Sequence, residues 1–167
     1  ILGTSSMLKR YLLAPGPTPV PPEALLAMAA PIIHHRTPQF SDAFRRAADR
    51  SRDLFGTREP VLMLACSGTG AMEAAVVNLC SPGDEVLVPA NTFIATVQSV
   101  VRSGASPVLV DSDPVHFHMD PTRAASLTGR HTKALLPVHL YGQMAPMEEL
   151  GVLARAAGAD LLEDAAQ

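Results

Sequence analysis

Lysine is scarce in this sequence. Lys9 and Lys133 are the only two among 167 residues, beside eleven arginines, so any chemistry needing a lysine amine has two candidates. Aromatic side chains are few as well: five Phe, two Tyr and no Trp. Charged residues make up 17% and the net charge is −3, which argues against the basic footprint of a nucleic-acid binder. The two cysteines, Cys66 and Cys80, sit in apolar surroundings and read as buried, reduced thiols of a cytoplasmic protein. They are too few for a metal site. His116 and His118 alternate in an expected loop, but no carboxylate or cysteine completes a ligand set there. No metal is therefore expected. No stretch reaches the ~20 apolar residues of a membrane span, so no membrane partner is expected. The first residues lack the apolar core and small-residue cleavage site of a signal peptide. The first methionine is Met7, and residues 1–10 read as a leader or remnant outside the fold.

Apolar residues reach 47%, ample for a buried core. Residues 11–22 hold five prolines and one glycine. Proline fixes φ and lacks an N–H, so this is an extended arm. Pro22 opens a short helix, EALLAMAA. PIIHHRTPQF is irregular, and residues 42–55 read as a helix for which Ser41 is the candidate cap. From residue 59 the texture changes to short apolar runs: VLMLAC (61–66), EVLVP (85–89), PVLVD (107–111), KALLPVHL (133–140) and ADLLED (159–164). Helical segments lie between most of them, and the one containing TFIATVQSVVRS ends at Gly104 as a cap. Buried strands alternating with helices predict an α/β fold: a three-layer, doubly wound, mostly parallel sheet. Residues 11–58 form an N-terminal arm with helices, and 59–167 the sheet domain.

Ligands of such sheets bind beyond the carboxyl ends of the strands, so those ends carry the functional expectation. The first run ends in Ser67-Gly68-Thr69-Gly70 at a helix start. Unpaired N–H groups there suit an anion, with the Ser67 and Thr69 hydroxyls as extra donors, or else the glycines only make a tight turn. The second ends at Phe93, placed either to stack on a flat ring or to fill the core. If Asn91 or Thr92 caps the next helix, Phe93 lies in its first turn. The fourth ends in His139 and Tyr141, which line the crevice or simply cross into solvent. The fifth ends in Asp164. A carboxylate there is costly to bury unless it meets a cation, such as a protonated pyridine nitrogen, or caps a helix. An anion cradle, an aromatic and an acid together describe a phosphorylated flat ring with a basic nitrogen. A dinucleotide fold would want GxGxxG after the first strand and an acid ending the second. The chain has SGTG and Pro89-Ala90 there.

These residues resemble fold-type I enzymes dependent on pyridoxal 5′-phosphate (PLP). Residues 12–80, with LLAPGPTPVPPEALLAMAAPIIHHRTPQF and LACSGTGAMEAAVVNL, resemble class V aminotransferases of the alanine–glyoxylate and serine–glyoxylate kind. Residues 83–167, with GDEVLVPANTFIAT, PVLVDSDP, TKALLPVHLYGQMAPMEEL and LLEDAAQ, resemble DegT-type sugar aminotransferases. A natural or engineered recombinant of the two, or a divergent family keeping both signatures, accounts for this. The resemblance implies a PLP large domain. Ser67, Gly68, Thr69 and Gly70 would hold the phosphate, Phe93 would stack on the ring, Asp164 would pair with its nitrogen and Gln167 would lie beside its phenolic oxygen. It also implies substrate contacts for Gly16, His34, His35 and Arg36, with His139 and Tyr141 as further candidates.

The same resemblance implies a Schiff-base lysine a few tens of residues beyond the aspartate. Lys133 opens a strand at the wrong end and Lys9 lies in the arm, so no catalytic lysine is expected within these residues. The chain is read as incomplete and inactive by itself, with the small domain absent. The whole protein would move an amino group from glutamate or glutamine to a nucleotide-linked keto-sugar, as a homodimer. The runner-up substrates are small amino acids with glyoxylate or pyruvate, and a non-catalytic scaffold is the rival from another class.

Overall fold

A computed structural model of the protein describes residues 19–166. The chain divides into two compact units between Ala65 and Cys66.

In the first unit, α1 spans Pro22–Met28 and α2 spans Pro38–Phe55. Each begins on proline, whose missing N–H has no acceptor to lose in a first turn. The cap of α2 is Thr37 rather than Ser41. The Thr37 Oγ1 accepts the Phe40 N–H at 3.3 Å, so the helix starts four residues before the expected 42. Gly56 closes it in the left-handed region at φ 60°, which costs glycine nothing. No residue of α1 or α2 is buried.

The expected strand at 61–66 does not form: residues 61–65 run without regular structure, and Leu62 and Leu64 are exposed. An apolar run makes a strand only when a neighbouring strand accepts its N–H and C=O groups, and none does so among the described residues. Cys66 consequently is exposed, against the expectation of a buried thiol, whereas Cys80 is buried.

The second unit is built on four strands: β1 (Glu85–Pro89), β2 (Ser106–Val110), β3 (Thr132–Leu135) and β4 (Asp160–Leu161). Every pairing is parallel and the order is β2-β1-β3-β4. Helices α3 (Gly68–Leu79), α4 (Ile94–Ser103), α5 (Pro121–Leu127) and α6 (Met147–Ala157) complete it. The period of two along β1 sorts its side chains between two faces. Val86 and Val88 pack with Val76 of α3 and Val100 of α4, while Leu87 packs with Ala124 of α5 and Leu150 of α6. Helices therefore cover both faces, and the three-layer, doubly wound parallel sheet expected from the alternating pattern is the observed architecture.

The winding reverses at β1. The chain passes from β1 through α4 to β2 on one side, then through α5 to β3 on the other. A crevice opens at the carboxyl ends of strands where winding reverses. Two local features shape that crevice. Pro89 ends β1, since it has no N–H to extend the ladder. Strand β3 stops at Leu135, short of the expected 140, and the chain then reaches a 3₁₀ turn at Leu140–Gly142.

Candidate functional site

Beyond the carboxyl end of β1, a cavity of about 260 Å³ is lined by residues from four separate segments. Gly68, Thr69 and Met72 come from the start of α3. Thr92, Phe93 and Thr96 come from the start of α4. Val138 and Asp164 come from beyond β3 and β4.

The α3 tip is an open helix N-terminus. Ser67 is its cap, with Oγ accepting the Gly70 N–H at 3.3 Å, and the Ala71 N–H reaches the Ser67 carbonyl at 3.0 Å. The Gly68 and Thr69 amides find no acceptor among the described residues. Two free N–H groups at the positive end of a 12-residue helix favour an anion. A Cβ at Gly70 would lie 3.2 Å from the Cys66 Cβ, a tight contact that favours glycine there. Ser67 thus serves the turn, while Gly68 and Thr69 line the cavity.

Phe93 itself occupies the N-cap position of α4, with φ −68° and ψ 142°, a place the sequence assigned to Asn91 or Thr92. It is 68% exposed, so it is not a core residue. Asp164 differs sharply, with only 8% exposure. It lies past the short β4, where it forms a lone parallel bridge with Val138. Its Oδ1 accepts the Ala166 N–H at 3.1 Å and its Oδ2 accepts the Thr96 hydroxyl at 3.0 Å. No lysine, arginine or histidine pairs with this carboxylate among the described residues. It is the one titratable side chain lining the cavity there.

Sequence reading missed Thr92 and Thr96. The signal was their spacing of four, which sets two hydroxyls on one side of a helix start; the Oγ1 atoms are 3.0 Å apart.

Other candidates sit elsewhere. His139 turns inward to the protein: its Nδ1 accepts the Ala145 N–H at 3.1 Å, which leaves Nε2–H to meet Glu163 Oε2 at 2.9 Å. Both ring nitrogens are thus engaged, and neither His139 nor Tyr141 lines the cavity. Tyr141 is exposed, at φ 62°, with its ring edge-on to Phe117 at 6.5 Å. His34, His35 and Arg36 belong to the first unit, on the exposed stretch between α1 and α2. Lys133 pairs with Asp160 at 3.3 Å near the amino ends of β3 and β4, remote from the cavity lining. Gly16, Gln167 and Lys9 lie outside the described residues.

A doubly wound parallel sheet brings an open helix start, an exposed aromatic and a buried carboxylate around one cavity, a combination suited to a small, flat, anionic ligand. The chain belongs to the DegT/DnrJ/EryC1/StrS aminotransferase family, whose sequence pattern matches residues 52–167. That span includes residues 52–80, which on motifs alone resemble class V enzymes. A pleiotropic regulatory protein of Geobacillus stearothermophilus is 50% identical over 97 residues, which cover 58% of this chain and 25% of that protein. The GDP-perosamine synthase of Caulobacter vibrioides is 45% identical over 106 residues, covering 62% and 29%. Among solved structures, NtdA of Bacillus subtilis with bound cofactor PMP superposes with a TM-score of 0.57 at 39% identity, over 59% of this chain and 23% of that one. The chain thus spans about a quarter of the length of each of these relatives.

Proposed function

We propose that residues 59–167 belong to the cofactor-binding portion of a PLP-dependent sugar aminotransferase, with residues 11–58 as its N-terminal arm. The observation that carries this is Asp164, buried and without a cationic partner among the described residues, in the same cavity as the unpaired Gly68 and Thr69 amides. A buried carboxylate is costly unless a cation meets it. The ring nitrogen of PLP, or of its amine form PMP, supplies one, and the cofactor's phosphate suits the two amides.

When bound, the cofactor supplies an electron sink for carbanion chemistry. The chain's own residues prepare it. The Gly68 and Thr69 amides, with the Thr69 hydroxyl, anchor the phosphate. Phe93 offers its face to the ring, and Gln167 is assigned to the phenolic oxygen. The Asp164 carboxylate holds a proton on the ring nitrogen, because an opposite charge favours the protonated form. Lys133 pairs with Asp160 away from the cavity lining, so the role of Schiff-base lysine is not assigned to it. The amino acceptor is assigned as a nucleotide-linked keto-sugar, by likeness to the GDP-perosamine synthase, and the donor as glutamate or glutamine. The whole protein is read as a cytoplasmic homodimer, with residues 12–51, which precede the family match, keeping their class V resemblance.

PMP is the probe of choice, because it needs no Schiff base to bind. Titrating PMP into the protein and into Asp164→Ala, with fluorescence as readout, should show saturable binding that weakens at least about tenfold in the variant. Equal affinity in both would remove the assignment.

A further inference from the structure

We propose that Thr96 is a positioning residue for Asp164, and that Thr92 orients Thr96 in turn. Both roles rest on the assignment of the cavity to PLP or PMP. The hydroxyls form a directed chain. Thr96 Oγ1 donates to Asp164 Oδ2 at 3.0 Å, so its one proton is spent there. The 3.0 Å contact between the two threonine oxygens then requires Thr92 to donate to Thr96. Thr96 is 1% exposed, so bulk water has little access to it and the Thr92 hydroxyl is the donor at hand.

The arrangement matters because a carboxylate at this place has several orientations available about its side-chain torsions. Its backbone is held by the Asp164 N–H to the Pro137 carbonyl at 2.9 Å and by the His139 N–H to the Asp164 carbonyl at 3.0 Å. Those bonds place Cα and leave the carboxylate free to turn. The Ala166 N–H on Oδ1 and the Thr96 hydroxyl on Oδ2 take one lone pair from each oxygen and hold the plane of the group. Each oxygen keeps a further lone pair for a cation in the cavity. The neighbouring titratable groups Glu163 and His139 pair with each other at 2.9 Å and do not line the cavity.

The test compares wild type, Thr96→Val, Thr96→Ser, Thr92→Val and Asp164→Ala of the full protein by PMP titration across pH. Thr96→Val keeps the shape and removes the donor. It should weaken PMP binding about tenfold, the scale of one hydrogen bond to a charged group. The pH profile of its affinity should change shape as well, because PMP then meets a carboxylate that has lost one of its two donors. Thr96→Ser should restore both to within about twofold of wild type, and Thr92→Val should give a smaller loss in the same direction. Unchanged affinity and pH profile in Thr96→Val, with Asp164→Ala still impaired, would overturn the role of Thr96 alone. A uniform loss at every pH, unrescued by serine, would overturn it in favour of a purely structural threonine. If Thr96→Val fails to fold, Thr92→Val carries the same comparison, and a wild-type profile there overturns the chain of donors. Wild-type binding by Asp164→Ala would remove the cofactor assignment and this role with it.

Discussion

Val138 and Asp164 face each other in a parallel bridge beyond the last regular residues of β3 and β4. The sheet there has lost its continuous ladder, yet Asp164 still takes one backbone bond from each direction, to Pro137 and from His139. This brings a buried carboxylate to the rim of the sheet, opposite two helix starts, instead of leaving it in a mobile loop. A backbone held this way lets a two-residue strand position a charged side chain.

Phe93 should behave as a ligand contact and not as a core residue. The residue is 68% exposed at the N-cap of α4. Phe93→Ala should shift unfolding stability by no more than about 0.5 kcal/mol. Ring stacking contributes about 0.5–1.5 kcal/mol beyond area, so PMP affinity should fall by about two- to tenfold. Urea unfolding and PMP titration of the same variant check both. A loss of several kcal/mol in stability with intact PMP affinity would identify a packing role instead.

The loop after β2 should be sensitive to acid. The His116 backbone N–H holds the Asp113 carboxyl below the ordinary aspartate range; burial opposes this, and the Val115 N–H and the His116 ring assist it. A folded-state pKa below the unfolded one contributes stability above the unfolded value, and that stability is lost as pH falls through the depressed folded value. Following the Asp113 carboxyl carbon by NMR should give a midpoint below that of an unstructured peptide. Amide exchange at Val115 and His116 should quicken through the same range, and Asp113→Asn should abolish that pH dependence. A midpoint at or above the peptide's would contradict it.

The two thiols should differ in reactivity. Burial pushes the Cys80 thiol up, with the Asp84 charge adding to it, so little thiolate forms near neutral pH. Cys66 is exposed. Under native conditions a thiol reagent should modify Cys66 readily and Cys80 only once denaturant opens the sheet domain. Mass spectrometry of partly labelled protein distinguishes them, and matched rates would show that Cys80 is not held in the core.

Phe93 and Asp164 were legible because strand ends in a doubly wound sheet point the same way, and Gly68 and Thr69 because glycine and hydroxyl residues mark a helix start, although no strand precedes them among the described residues. Gly68, Thr69, Phe93 and Asp164 are separated by up to 96 positions, yet each follows an apolar run, and topology gathers such ends into one crevice. His139 was not legible in the same way. It also follows a strand, but the Ala145 amide and Glu163 captured both of its nitrogens. Those partners lie 6 and 24 positions away, and no local pattern announces them. VLMLAC misled for a related reason: apolar content marks a segment that can be buried, but a strand also needs a partner ladder.

Sequence alone determined the alternation of buried runs and helix starts, since hydrophobic period, proline and glycine act locally. It therefore settled the layered α/β class and the residues offered at the rim. Tertiary structure decided which of those residues share a cavity, that Phe93 is out in solvent and Asp164 is not, and that Thr92 and Thr96 bear on a carboxylate far along the chain. Those outcomes depend on contacts between distant segments, and hydrogen-bond partners at such range are chosen by packing geometry.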